Sequence, residues 1–167
     1  MSGDYYSTGV QLALGKGDGH FKNSIIIPTG LAPNNVTATD LNGDGHVDLV
    51  IGVSENAEDI FLGNGDGTFQ PRYDYNPGSS GAVPGDFNGD GKQDLIFPHG
   101  NVEYVLFGRG DGTLDGVRQF ETGNTNPVES LAVGDFNHDG LDDLVTGCIF
   151  DSRVSVLLAN SAGLCFI

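Results

Sequence analysis

Asp40, Asn42, Asp44 and Asp48 occupy positions 1, 3, 5 and 9 of the run Asp40-Leu-Asn-Gly-Asp-Gly-His-Val-Asp48. The same pattern returns as Asp86-Phe-Asn-Gly-Asp-Gly-Lys-Gln-Asp94 and as Asp135-Phe-Asn-His-Asp-Gly-Leu-Asp-Asp143. Oxygen-bearing side chains at alternate positions of a tight loop can converge on one point, and a hard cation such as Ca²⁺ takes roughly 6 to 8 oxygen ligands. The expected donors are the side chains of Asp40, Asn42, Asp44 and Asp48 with the His46 carbonyl. In the second copy they are Asp86, Asn88, Asp90 and Asp94 with Lys92, and in the third Asp135, Asn137, Asp139 and Asp143 with Leu141. Gly45, Gly91 and Gly140 supply the positive φ that folds such a loop. The expected cofactor is thus Ca²⁺, three ions per chain. Asp, Asn and Gly are also ordinary turn residues, but a turn alone does not require carboxylates at positions 1, 5 and 9 in three registers. An EF-hand is excluded, because its bidentate Glu at position 12 is replaced by Ile51, Phe97 and Thr146 and its flanks are helical.

The elements that carry these loops read as strands. Asp48, Asp94 and Asp143 are followed by Leu-Val-Ile, Leu-Ile-Phe and Leu-Val-Thr, short runs rich in β-branched and apolar residues. The loops begin at 40, 86 and 135, spacings of 46 and 49 residues. Between them runs a second motif, Gly15-Lys-Gly-Asp-Gly19, Gly63-Asn-Gly-Asp-Gly67 and Gly108-Arg-Gly-Asp-Gly112, with a worn copy at Ala159-Asn-Ser-Ala-Gly163. Asp-Gly between apolar strands is a hairpin signal, so a turn is the better reading of this motif than a ligand site. Each repeat becomes strand, metal loop, strand, connection, strand, hairpin, strand, with the second repeat's strands near 35–40, 47–53, 58–63 and 69–75. Four antiparallel strands in about 45–50 residues is the arithmetic of a β-propeller blade. The expected fold is all-β: a half-blade at 5–34 (strands near 5–14 and 20–27), blades at 35–80 and 81–127, and a blade at 128–167 incomplete or frayed at its last strand. About three and a half blades do not close a ring, so a homo-oligomer is expected, most simply a dimer, unless the chain is a piece of a longer array.

Gly85-Asp-Phe-Asn-Gly-Asp-Gly-Lys-Gln-Asp-Leu95 paired with Leu62-Gly-Asn-Gly-Asp-Gly-Thr-Phe69 resembles the FG-GAP/VCBS repeat family, from Gly9 to about Gly163. That family includes the headpieces of integrin α chains, secreted lectins and domains attached to polysaccharide-degrading enzymes. The resemblance implies a propeller with the ion between the first two strands of a blade. The resemblance says less about the partner; with three such loops and no unclaimed catalytic group, a non-catalytic binding role toward a glycan or an extracellular protein is expected. One scaffold serves many functions in such families, so accessory service to a polysaccharide-active enzyme is also open.

Lys and Arg number 7 against 23 Asp and Glu, giving a net charge of −16. Repulsion from phosphate argues against nucleic acid as a partner, and no run approaches a membrane span of about 18 apolar residues. Met1-Ser-Gly-Asp-Tyr-Tyr6 lacks the features of a signal peptide; loops of this kind nevertheless favour extracellular calcium concentrations and so an extracellular or cell-surface location. Cys148 and Cys165 fall on strands two apart, about 10 Å, so free thiols are expected. The histidines at 20, 46, 99 and 138 have no partner at zinc spacing. Ser79-Ser80-Gly81 is not a nucleophile elbow, and the paired carboxylates are already assigned to metal loops, so no enzyme is expected. Arg109-Gly-Asp111 sits at a variable hairpin position. Tyr5, Tyr6, Tyr73, Tyr75 and Tyr104, with the loops at 28–35, 76–81 and 123–127, are the candidate contact surfaces, against ordinary packing.

Overall fold

The computed structural model describes residues 9–77, 81–123, 125–148, 150, 152–160 and 163–166, the last segment as backbone. It is all-β, with antiparallel sheets and, among the described residues, a single 3₁₀ turn at Ser54–Asn56. A two-stranded sheet, β1 (Gly9–Leu12) and β2 (Ile25–Pro28), comes first. Three four-stranded meanders follow. They are β3 (Pro33–Thr39), β4 (Asp48–Val53), β5 (Ala57–Phe61) and β6 (Tyr73–Tyr75); β7 (Val83–Gly85), β8 (Asp94–His99), β9 (Val102–Gly108) and β10 (Leu114–Glu121); and β11 (Ser130–Gly134), β12 (Asp143–Cys148), β13 (Arg153–Asn160) and β14 (Gly163–Phe166). In each, strands pair in chain order. In the last repeat, expected to be incomplete or frayed at its last strand, β14 pairs with β13 from Leu157↔Phe166 to Asn160↔Gly163 as the fourth strand. Tyr5 and Tyr6 lie outside the described residues, as do Gly78, Ser79, Ser80 and Asn124 of the candidate loops. Among the described residues no helix is long and apolar enough to cross a membrane.

The core lies between sheets. Val10, Leu12 and Ile27 pack against Leu49, Ile51, Val53 and Phe61. Val50 and Ile60, with Leu41 from the first loop, meet Leu95, Phe97 and Leu106. Ile96, Val105 and Phe87 meet Leu144, Leu157 and Ala159. Because successive side chains point to opposite faces, Leu49 and Ile51 look to one neighbouring sheet and Val50 to the other. Second strands such as β4, buried at all six positions, therefore read as unbroken apolar runs, the pattern of a strand covered on both faces.

Register decides the cysteines. Cys148 pairs with Arg153 on one side of β13 and Cys165 with Leu158 on the other. Five residues of strand, about 16 Å, add to the two inter-strand spacings, so no disulfide joins them. Cys148 is a buried free thiol.

Candidate metal centres

Each loop between the first and second strands of a meander is closed by its own acceptors. The Asp40 carboxylate accepts the N–H groups of Gly43 (2.8 Å), Asp44 (3.1 Å) and Gly45 (2.9 Å), Asn42 Oδ1 accepts that of Asp44 (3.0 Å), and Asp44 Oδ1 that of His46 (2.8 Å). Asp86 does the same for Gly89, Asp90 and Gly91, while Asn88 and Asp90 accept from Asp90 and Lys92. Asp135 takes Asp139 and Gly140, and Asn137 and Asp139 accept from Asp139 and Leu141. Gly45, Gly91 and Gly140 hold φ of 83°, 79° and 89°, the left-handed region these loops require. His138 takes φ 62° where the first two copies have glycine. Hydrogen bonds from the Asn42 side chain and the His46 N–H hold the exposed Asp44 carboxyl below its ordinary range.

The ninth-position aspartates do something the spacing did not predict. Asp48 is fully buried; one oxygen accepts Leu41 N–H (2.9 Å) and the other Gly63 N–H (2.7 Å). Asp94 accepts from Phe87 (3.0 Å) and Gly108 (2.9 Å), and Asp143 from Phe136 (2.9 Å) and Ala159 (2.8 Å). Each carboxylate thus ties its own loop to the end of the third strand. Asp94 is pushed up to about 6, mainly by burial and further by Asp90 and Asp86, against the lowering pull of its two N–H donors. Gly63 and Gly108 allow the approach: a Cβ there would come within 2.2 Å of the Val47 carbonyl oxygen and 2.0 Å of that of Gln93. No sequence signal separates this duty from ligation, because both need an aspartate.

Among the described residues no three or more His, Cys, Asp or Glu side chains are grouped to hold a metal ion. Positions 1 and 5 are instead turned to backbone N–H groups. The donor chemistry still fits a hard cation: every side chain at positions 1, 3, 5 and 9 offers oxygen, and Oδ2 of Asp40 and of Asp86, each accepting one N–H, keeps a second lone pair. The residues that would hold calcium are those at positions 1, 3, 5 and 9, with the carbonyls of His46, Lys92 and Leu141.

The second motif is a turn. Asn64 N–H donates to the Thr68 carbonyl (3.0 Å) and Arg109 N–H to that of Thr113 (3.0 Å). Asp66 and Asp111 are occupied by the N–H and hydroxyl of Thr68 and Thr113, which lower both carboxyls. Arg109 pairs with Asp115 (Nε to Oδ1, 2.7 Å). The Arg-Gly-Asp tripeptide is therefore spent on local structure. Tyr73, Tyr75 and Tyr104 are half-buried against the core; the Tyr73 hydroxyl donates to the Gly112 carbonyl and is pushed up to about 12 by burial, while Tyr104 stacks on His99 at 4.2 Å between ring centroids.

A polar pocket lies at the opposite end of the sheets. Gly30, Asp59, Arg72, Asp74 and Tyr75 help line a cavity of about 340 Å³. Asp59 is buried, accepting from Gly30 N–H (2.6 Å) and Arg72 Nη1 (2.6 Å), and Arg72 also pairs with Asp74. This cluster is particular to one meander: the corresponding cross-strand pair in the next is Tyr104 and Gln119.

The loops, turns and meanders recur with one period, and the FG-GAP-like repeat model matches residues 2–51, 40–97 and 86–146. The chain belongs to the FG-GAP-like repeat family. The second and third FG-GAP matches begin on Asp40 and Asp86, the first residues of the first two Asp-x-Asn-x-Asp-Gly loops. Among solved structures, a lectin of Agrocybe aegerita, described as specifically recognising non-reducing terminal N-acetylglucosamine, matches with a TM-score of 0.72 at 20% identity, over 95% of this chain. The chain spans 45% of that protein's length. No curated protein matches the chain.

Proposed function

We propose that this FG-GAP chain is a calcium-stabilised, non-catalytic recognition module built as part of a β-propeller, acting outside the cell or at its surface and binding carbohydrate. The observation that carries the calcium reading is the threefold recurrence of a loop with oxygen donors at positions 1, 3, 5 and 9, held in one conformation by the same hydrogen bonds. Approach of the first strands supports the propeller reading: Thr37 Oγ1 donates to the Ala82 carbonyl (2.6 Å), and Asp86 N–H to Asp142 Oδ2 (2.8 Å), so successive meanders join at their loop-bearing strands. Bound calcium would neutralise carboxylates that otherwise repel one another and would couple ion binding to folding.

The carbohydrate reading is supported by the fold shared with a lectin and by the Asp59–Arg72–Asp74 pocket. A carboxylate, a guanidinium and the face of Tyr75 are the partners that sugar hydroxyls and ring faces require. The test is a glycan array with calcium present, including glycans ending in N-acetylglucosamine, paired with titration calorimetry. Binding lost in Arg72→Ala and in chelator supports the reading. An array that stays blank with all three calcium sites filled ends the carbohydrate assignment and leaves the metal one standing.

A further inference from the structure

The three interior seams are built alike: the face of one sheet turned toward the next in chain order packs on the face of that next sheet turned back. Aligning the repeats shows what each position expects. Leu41 and Phe87, second residues of their loops, are buried under the following sheet, whereas Phe136 at the same place is 51% exposed. Glu58 and Glu103, five residues before Gly63 and Gly108, are buried; Val154, five before Ala159, is 68% exposed. At the other end, Phe69 is half-buried in the first seam and packs edge-on against Phe61. Its counterpart Phe21, bridged to Gly15 as Phe69 is to Gly63, is 67% exposed, with Ile26 at 60%. Among the described residues, six of the nine large exposed apolar side chains (Phe21, Ile25, Ile26, Phe136, Phe150 and Val154) lie in the strands or loops of the first or the last sheet; of these Ile25 shares the inner face with Leu12 and Ile27.

We propose that a second copy of this chain covers both faces, the β1–β2 sheet of each copy seating its outer face on the uncovered face of β11–β13 of the other, so that two chains close head to tail. The two faces are complementary in kind, since every interior seam joins one face of each type. A contact between unlike patches closes into a ring or runs on as a filament. Length favours a ring of two: one chain covers 45% of the matched lectin chain, so two copies supply nearly the length of that single chain. The propeller reading enters only in the closure of the ring; calcium stoichiometry and glycan binding are measured separately and can fail without it.

Light scattering of the full chain in saturating calcium tests the pairing. The expected mass is twice 17.5 kDa, that is 2 × 17.5 = 35 kDa. Val154→Lys and Ile26→Lys, both at exposed positions that leave the interior seams intact, should each halve the mass with an unchanged far-ultraviolet spectrum. Mixing the two variants should restore the dimer, because one of its two contacts is then free of either substitution. A wild-type mass of 17.5 kDa would assign the faces to further repeats of a longer polypeptide and overturn the proposal. Single variants that keep the wild-type mass would also overturn it, as would a mixture that stays monomeric or a ladder of higher species.

Discussion

Asp94 and Glu103 stand on neighbouring strands of one meander, both fully buried, and their carboxyls are served in opposite ways. Asp94 sits where a loop and a strand end meet, and both of its oxygens receive a backbone N–H, from Phe87 and Gly108. Glu103 sits within the ladder of β9, paired with Pro98 and Phe120, and neither of its oxygens has a partner. Burial pushes both acids up, Asp94 to about 6 and Glu103 to about 8. Inside a sheet the N–H groups are consumed by strand pairing, so a buried side chain there finds donors only on the facing sheet; at a loop they are free to be taken. Glu58, the counterpart of Glu103 one repeat earlier, is intermediate. One oxygen accepts Gly81 N–H (2.9 Å), the other has no partner, and burial pushes the group up to about 7.

Removing the well-served carboxylate should have the largest effect. Asp94→Ala leaves the N–H groups of Phe87 and Gly108 buried without acceptors, at about 1–3 kcal/mol each. The expected loss is roughly 2–6 kcal/mol, read from the denaturant midpoint at constant slope. A loss below about 1 kcal/mol would mean that water replaces the carboxylate and that the tie is not structural.

Calcium should come next. Three ions are expected by titration calorimetry, and Asp44→Ala, Asp90→Ala or Asp139→Ala should each lower the count to two. Excess chelator should lower the melting temperature, since a site held at 100 times its dissociation constant contributes about 2.7 kcal/mol to the native state. Full occupancy in all three variants, or a melting curve indifferent to chelator, would reduce the loops to turns.

Glu103→Gln sharpens the comparison from the other side. The folded-state value of about 8 lies above the ordinary 4.5, so the native chain holds a proton that the unfolded chain releases. That contribution is complete below about pH 4.5 and is lost as pH rises toward 8. The variant should match the wild type near pH 4 and melt at a higher temperature near pH 8, with a flatter decline between. Equal melting temperatures at pH 8 would show that Glu103 has found a donor. The smallest effect is expected of Arg109→Ala, which breaks an exposed pair with Asp115 and should leave the melting temperature unchanged.

Features that depend on a few adjacent residues were legible from the chain alone. The three Asp-x-Asn-x-Asp-Gly loops, the Gly-x-Gly-Asp-Gly hairpins and the strands after Asp48, Asp94 and Asp143 rest on glycine's freedom at positive φ and on hydrogen bonds spanning two to five residues. Periodicity then gave the four-stranded meander and its repeat, and strand pairing shows β14 as the fourth strand of the last one. Tertiary structure decided what is made between distant residues. Asp48 reaches Gly63 across 15 positions, Gly108 must be glycine because of the Gln93 carbonyl, and Asp59 is buried by Gly30 and Arg72. An aspartate that ligates and one that ties two strands have the same side chain in the same motif. Their roles separate only when folding settles which N–H groups have already been taken by the sheet.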